Sequence, residues 1–303
     1  MRCEQLIAWC RERGIAYRAD ESLRRRTYMA IGGPADVALF PDQIQIPALV
    51  RLLQSLSIPY LVLGKGSNLL VSDRGVRGAV LFTQRLRGSE LNIQEGHITF
   101  SAGVPLQQAL RLAADAGMSG LEGLAGVPGT IGGAVAGNAG SFGVEMKDVV
   151  ISATVLLPDG TTREYPASEM GFHYRSAIVA EQGIIIDVRL RLIPDLPRAI
   201  YARIAEYLAQ KRLTQPVAAR SAGCTFKNPA GVSAGRLIEE SGCKGMRAGA
   251  IEVSLLHANF LVNLGGGRAE DYRLLMDRVT ARVYERFGVM LEPEIRIVGE
   301  WQS

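Results

Sequence analysis

The chain is poor in residues that hold metals or staple a fold: four cysteines and three histidines in 303 residues. Cys3, Cys10, Cys224 and Cys243 make no CxxC pair, and His97, His173 and His257 are scattered, so neither a structural metal nor a disulfide framework is expected. No apolar run reaches the roughly 18 residues that span a bilayer, and the N-terminus lacks a basic start followed by an apolar core. A cytoplasmic chain with reduced thiols and no stable membrane association is the expectation. A dominant charge is missing as well: 34 basic against 30 acidic residues leave +4, too little for a general nucleic-acid surface. The run Arg24-Arg25-Arg26 reads as a solvated edge, with a phosphate contact as the alternative. Against these absences, 48% of the residues are hydrophobic, enough for two or three ordinary cores.

Glycine is what the chain has in concentrated form. Residues 123–140, GLAGVPGTIGGAVAGNAG, hold seven glycines and no charged residue. Glycine loses more backbone entropy on folding than any other residue, so such density suggests positive φ or a close approach of main chain to a partner. A planar or phosphorylated ligand fits; a glycine turn packed on protein is the alternative. A second motif, GKGSNLL at residues 64–70, follows an apolar strand, where ligand loops commonly lie. Its amides, with Ser67 and Asn68, could form an anion nest. It lacks the third glycine of GxGxxG and is not a P-loop. Lys65 reads equally as a phosphate partner or as an exposed charge beside a turn.

Periodicity predicts helices near residues 6–13, 46–56, 106–116, 198–212, 234–240 and 269–287. Strands are expected at 35–40, 60–63, 79–83, 97–101, 149–157, 184–192, 260–264 and 289–298. Composition changes after Pro194. The irregular mixture suggests a large α+β domain followed by a smaller α/β unit.

Five motifs in order, LGKGSNLLVSD, GVPGTIGGAVAGNAG, YRS, SAGCTFKNP and LEPE, span nearly the whole chain and together resemble the UDP-N-acetylenolpyruvoylglucosamine reductases (MurB), flavoenzymes of peptidoglycan synthesis. The resemblance implies the FAD-binding fold of the vanillyl-alcohol oxidase (PCMH-type) group over residues 1–195, in two subdomains meeting near 80–85. A smaller substrate-binding domain over 196–303 would follow, its last strand returning Glu294 to the active site. The resemblance implies FAD as cofactor. The positions to hold it are Gly64, Lys65, Gly66, Ser67, Asn68 and Leu69, then Gly126, Val127, Pro128, Gly129, Thr130, Ile131, Gly132 and Gly133, with Asn138 nearby. NADPH and UDP-N-acetylglucosamine enolpyruvate are the implied partners of a chain expected to be a monomer.

Three residues are assigned chemistry by the same resemblance. Arg175, in FHYRS, reads alone as a surface or salt-bridging arginine; the resemblance turns it toward the substrate carboxylate, with Tyr174 packed beside it. One fixed donor where charge develops is worth about 3 kcal/mol. Cys224 stands where the family commonly places a serine that protonates the reaction intermediate. A thiol with a reference pKa of about 8.5 stays protonated at neutral pH, so the donor role survives and oxidation sensitivity is added. A small buried cysteine and a covalent nucleophile are the alternatives. Glu294 is assigned to polarise the carboxylate or support proton transfer, with Glu292 as its decoy. Asn228 and Arg212 are implied at the sugar nucleotide, although a solvated arginine at a helix end explains Arg212 equally well. The short interval from Arg175 to residue 184 resembles the shorter, type II form. Two rivals stand beside this reading: an FAD-dependent oxidase or dehydrogenase of a hydroxy acid or sugar, and a non-catalytic nucleotide-binding scaffold.

Overall fold

The computed structural model describes residues 2–92 and 94–301. Two compact units are each assembled from separated stretches of chain. The first takes the residues up to Ala19, then Val37–Lys65 and Gly78–Gln210; the second takes Asp20–Asp36, Gly66–Arg77 and the residues from Lys211 onward.

The larger sheet of the first unit has five antiparallel strands in the order Thr162–Pro166, Val150–Leu156, Ile184–Arg191, His97–Ser101 and Ser89–Asn92. Its register sets Ala153, Val188 and Phe100 side by side, all buried. Helix Leu106–Asp115 covers it with Leu106, Ala109, Leu110, Ala113 and Ala114, the i, i+3, i+4, i+7, i+8 stripe of an amphipathic helix. A second sheet runs Ala16–Ser22, Pro34–Phe40, Val76–Phe82, Tyr60–Leu63, the last two parallel. Around it, helices Arg2–Glu12 and Ile46–Ser55 close a core of Leu6, Cys10, Leu39, Leu49, Leu53 and Leu81. Burial pushes the Cys10 thiol up to about 11, which keeps it protonated.

In the second unit, a small antiparallel sheet of Arg247–Ala248, Ile251–Val253 and Leu261–Asn263 packs with helices Ala234–Glu240 and Ala269–Phe287. Met29, Ile31 and Leu70, from far earlier in the chain, complete that core. Helix Ala269–Phe287 buries Tyr272, Leu275, Met276, Val279 and Val283 and stops at Gly288, whose left-handed φ of 67° caps it. Its start is capped at a distance: Asp73 accepts the N–H groups of Ala269 at 3.0 Å and Glu270 at 3.2 Å.

The expected helices over 234–240 and 269–287 form with those bounds, and that over 198–212 as Pro197–Thr214. The strand expected over 289–298 shortens to Arg296–Val298, parallel to Leu69–Val71. Before it, the segment around Pro293, which has no N–H of its own, makes an isolated bridge to Phe226.

Candidate functional site

The glycine-rich segment is stitched to helix Leu106–Asp115 by one side chain. Gln107 donates to the carbonyls of Leu124 (3.1 Å) and Val127 (2.9 Å) and accepts the N–H of Gly126 (3.0 Å). Gly126 is exposed at φ 76°, and Gly129 turns at φ 146°. Thr130 then caps a short helix, Ile131–Ala136, by accepting the Gly133 N–H at 3.3 Å. The other amides of that turn are also engaged within the protein: Ile131 and Gly132 donate to the carbonyls of Val104 and Ala102, both at 2.9 Å. Gly132 is glycine for the sake of the fold, since a Cβ there would lie 2.6 Å from the Ala102 Cβ. The two glycine motifs meet at Gly64, whose Cβ would lie 2.6 Å from the Thr130 hydroxyl. Close main-chain approach, with Gly126, Gly133 and Lys65 left exposed, suits a planar phosphorylated cofactor.

Arg175 is the second residue of the Tyr174-Arg175 turn that joins Phe172–His173 to Ser176–Ala177. It adopts φ 61°, a left-handed conformation that costs a side-chain-bearing residue. Its Nη1 donates to the Gly140 carbonyl at 3.2 Å, and its guanidinium lies 5.3 Å from the centre of the exposed Tyr174 ring. Glu145 stands near: the Lys147 ammonium at 2.7 Å, working against burial, holds its carboxyl below the usual range, with an Asn138 bond and the Arg175 charge adding to the effect.

In the second unit, the Cys224 segment is fixed on both sides. The buried amide of Asn259 donates to the Phe226 carbonyl at 2.8 Å and accepts its N–H at 2.9 Å, while the Asn259 carbonyl accepts the Thr225 N–H at 2.8 Å. On the other side Glu294 donates its N–H to Thr225 O, and Lys227 to Glu292 O, both at 2.8 Å. Glu294 is thus tied to Thr225, the residue after Cys224, and Glu294 and Cys224 are each partly buried. Thr225 shares a 3.0 Å hydroxyl bond with Tyr272. Burial pushes that phenol up against the opposing Thr225 bond, so Tyr272 stays protonated.

Asn68 donates to the Glu294 carbonyl at 3.2 Å and accepts the Arg296 N–H at 3.1 Å, which joins the first glycine motif to the glutamate. Asn228 accepts the Ala234 N–H at 3.0 Å at the head of helix Ala234–Glu240. Glu292 pairs with Lys227 at 3.5 Å, in keeping with a surface role. Arg212 lies exposed; its neighbour Lys211 is buried, which pushes its ammonium down to about 8. Gln107, Asn259 and Tyr272 escape sequence reasoning, because each acts through a partner distant in the chain and none stands in a recognisable motif. Among the described residues, no helix is long and apolar enough to cross a membrane.

Two family models match the chain: an FAD binding domain over residues 34–165 and the C-terminal domain of UDP-N-acetylenolpyruvoylglucosamine reductase over 215–298. The chain is 40% identical over 289 residues to the UDP-N-acetylenolpyruvoylglucosamine reductase of Streptococcus thermophilus, covering 95% of this chain and 94% of that one. Among solved structures it is similar to the same-named reductase of Thermus caldophilus, with a TM-score of 0.79, 38% identity, and coverage of 93% and 98% of the two chains. Physcomitrella patens BBE-like 1 shares the fold at 17% identity and a TM-score of 0.50, over 62% of this chain and 44% of that one.

Proposed function

Because this chain belongs to the UDP-N-acetylenolpyruvoylglucosamine reductase family, we propose that it reduces UDP-N-acetylglucosamine enolpyruvate to UDP-N-acetylmuramate with NADPH, in the cytoplasmic synthesis of peptidoglycan precursor. The observation that carries the reading is the bond from the Glu294 N–H to Thr225 O, which ties the segment bearing the acid to the residue after the thiol in the matched C-terminal domain.

The residues fit an FAD cofactor. Main chain at Gly64, Gly66, Gly126 and Gly129 would lie against it, with Lys65, Ser67, Asn68 and Leu69 and the Val127, Pro128, Thr130 to Gly133 surface beside. The chemistry FAD supplies when bound is hydride relay from NADPH to the enolpyruvyl group. Adding hydride to one carbon of an enol ether conjugated to a carboxylate places negative charge on that carboxylate and leaves the neighbouring carbon in need of a proton. Arg175 meets the charge with a preset guanidinium. Cys224 gives its Sγ proton to the carbon, and Glu294 supports that transfer. Tyr174, Asn228 and Arg212 hold the rest of the sugar nucleotide.

The test is anaerobic. NADPH should bleach the flavin of the purified protein, and UDP-N-acetylglucosamine enolpyruvate alone should restore its colour with formation of UDP-N-acetylmuramate. A flavin that is bleached and then ignores authentic substrate would overturn the proposal.

A further inference from the structure

We infer that Asn138 is the positioning residue that holds Arg175 in place, through both the turn that carries the arginine and the carboxylate beside its guanidinium. Asn138 is 1% exposed and adopts a left-handed φ of 38°, which asparagine tolerates better than most residues. An amide has two N–H donors and one carbonyl acceptor. Here Nδ2 donates to Glu145 Oε2 and to the carbonyl of His173, both at 3.0 Å. Oδ1 accepts the Lys147 N–H, also at 3.0 Å. Both donors are therefore engaged inside the protein, and a ligand can take neither without breaking a buried bond.

Two of these partners, His173 and Glu145, lead to the arginine. His173 directly precedes Tyr174-Arg175, so the bond to its carbonyl anchors the turn at the position where Arg175 departs from ordinary backbone. Glu145 stands beside the guanidinium, and Gly140, whose carbonyl receives Nη1 at 3.2 Å, pairs with Glu145 in the hairpin Gly140–Ser141 to Val144–Glu145. Glu145 is further fixed by a capping box, its N–H donating to Asp148 at 2.8 Å. With Asn138 gone, a turn at positive φ is free to relax, and the guanidinium moves with it. Sub-ångström to ångström displacement of a catalytic group is costly in rate.

The inference rests on Arg175 serving the substrate half of the reaction, and the experiment separates the two ideas. Holoenzymes carrying Asn138→Ser, Arg175→Lys, or both are compared by stopped flow in flavin reduction by NADPH and in reoxidation by enolpyruvyl substrate. Asn138→Ser is expected to slow reoxidation roughly tenfold or more, the scale of lost buried hydrogen bonds, with flavin content and NADPH reduction within about twofold of the parent. In the Arg175→Lys background the same change should add less than about threefold, since coupled residues are not additive. A full second tenfold loss, or equal slowing of both half-reactions, would overturn the inference and leave Arg175's role intact. Wild-type reoxidation by Arg175→Lys would overturn both. Asn138→Gly, which accepts the left-handed φ and removes all three bonds without adding a charge, is the second variant should the serine protein fold poorly, and the same outcomes apply to it.

Discussion

Cys224 is the residue at which this chain tests its own chemistry. With the donor removed, Cys224→Ala should retain flavin reduction by NADPH yet form product about 10²-fold more slowly or worse, the usual contribution of a general acid. Cys224→Ser should recover most of the loss and gain resistance to thiol alkylation. Alanine turnover equal to the parent in steady-state assays would remove Cys224 from the donor role. At this scale the sequence was only half legible. SAGCTFKNP and LEPE pointed to Cys224 and Glu294, but the side chains that fix their segments, Asn259 and Asn68, stand 33 and 226 residues from the residues they bond, where no local pattern reaches.

Helices and strands were legible where one periodic stripe decided them. Ala269–Phe287 follows from its spaced apolar residues and the glycine after it. Helix Ile131–Ala136 was hidden, because two glycines in six residues speak against a helix, while the Thr130 cap, the bonds to residues 102 and 104 and the buried Ile131, Ala134 and Val135 hold it. The strand expected over 289–298 is divided: around Pro293 it makes an isolated bridge to Phe226, and only Arg296–Val298 forms a strand, on Leu69–Val71. Asp73 supplies the prediction at this scale. It caps Ala269–Phe287 from 196 residues away through both oxygens, so Asp73→Ala should lower stability by about 1–2 kcal/mol in denaturant unfolding, with Asp73→Asn losing less. An unchanged midpoint would show that Glu270 and Asp271 serve the helix end unaided.

Across the whole molecule, composition revealed the class of chain and the order of its motifs, yet no shift in residue usage marks residues 20–36 or 66–77 as companions of the C-terminal stretch. Packing through Met29, Ile31 and Leu70, strand pairing at Leu69–Val71 and the Asp73 cap recruit them. A fragment of residues 211–303 would therefore lack three buried core residues and the Leu69–Val71 partner of strand Arg296–Val298. Each such residue is worth about 2–5 kcal/mol, against a total stability of about 5–15 kcal/mol. The fragment should melt without a cooperative transition in circular dichroism; a sharp transition would show that its own core suffices.

The contact between Gly132 and Ala102 extends beyond this one chain. Between them the two positions hold space for a single methyl group, and the present sequence has assigned it to 102. Descendants can move that methyl across only by changing both residues. Natural variation should therefore show alanine at 132 only together with glycine at 102, and even then with a slight shift of main chain, since the new Cβ would still lie 3.3 Å from the Cα and carbonyl oxygen of residue 102.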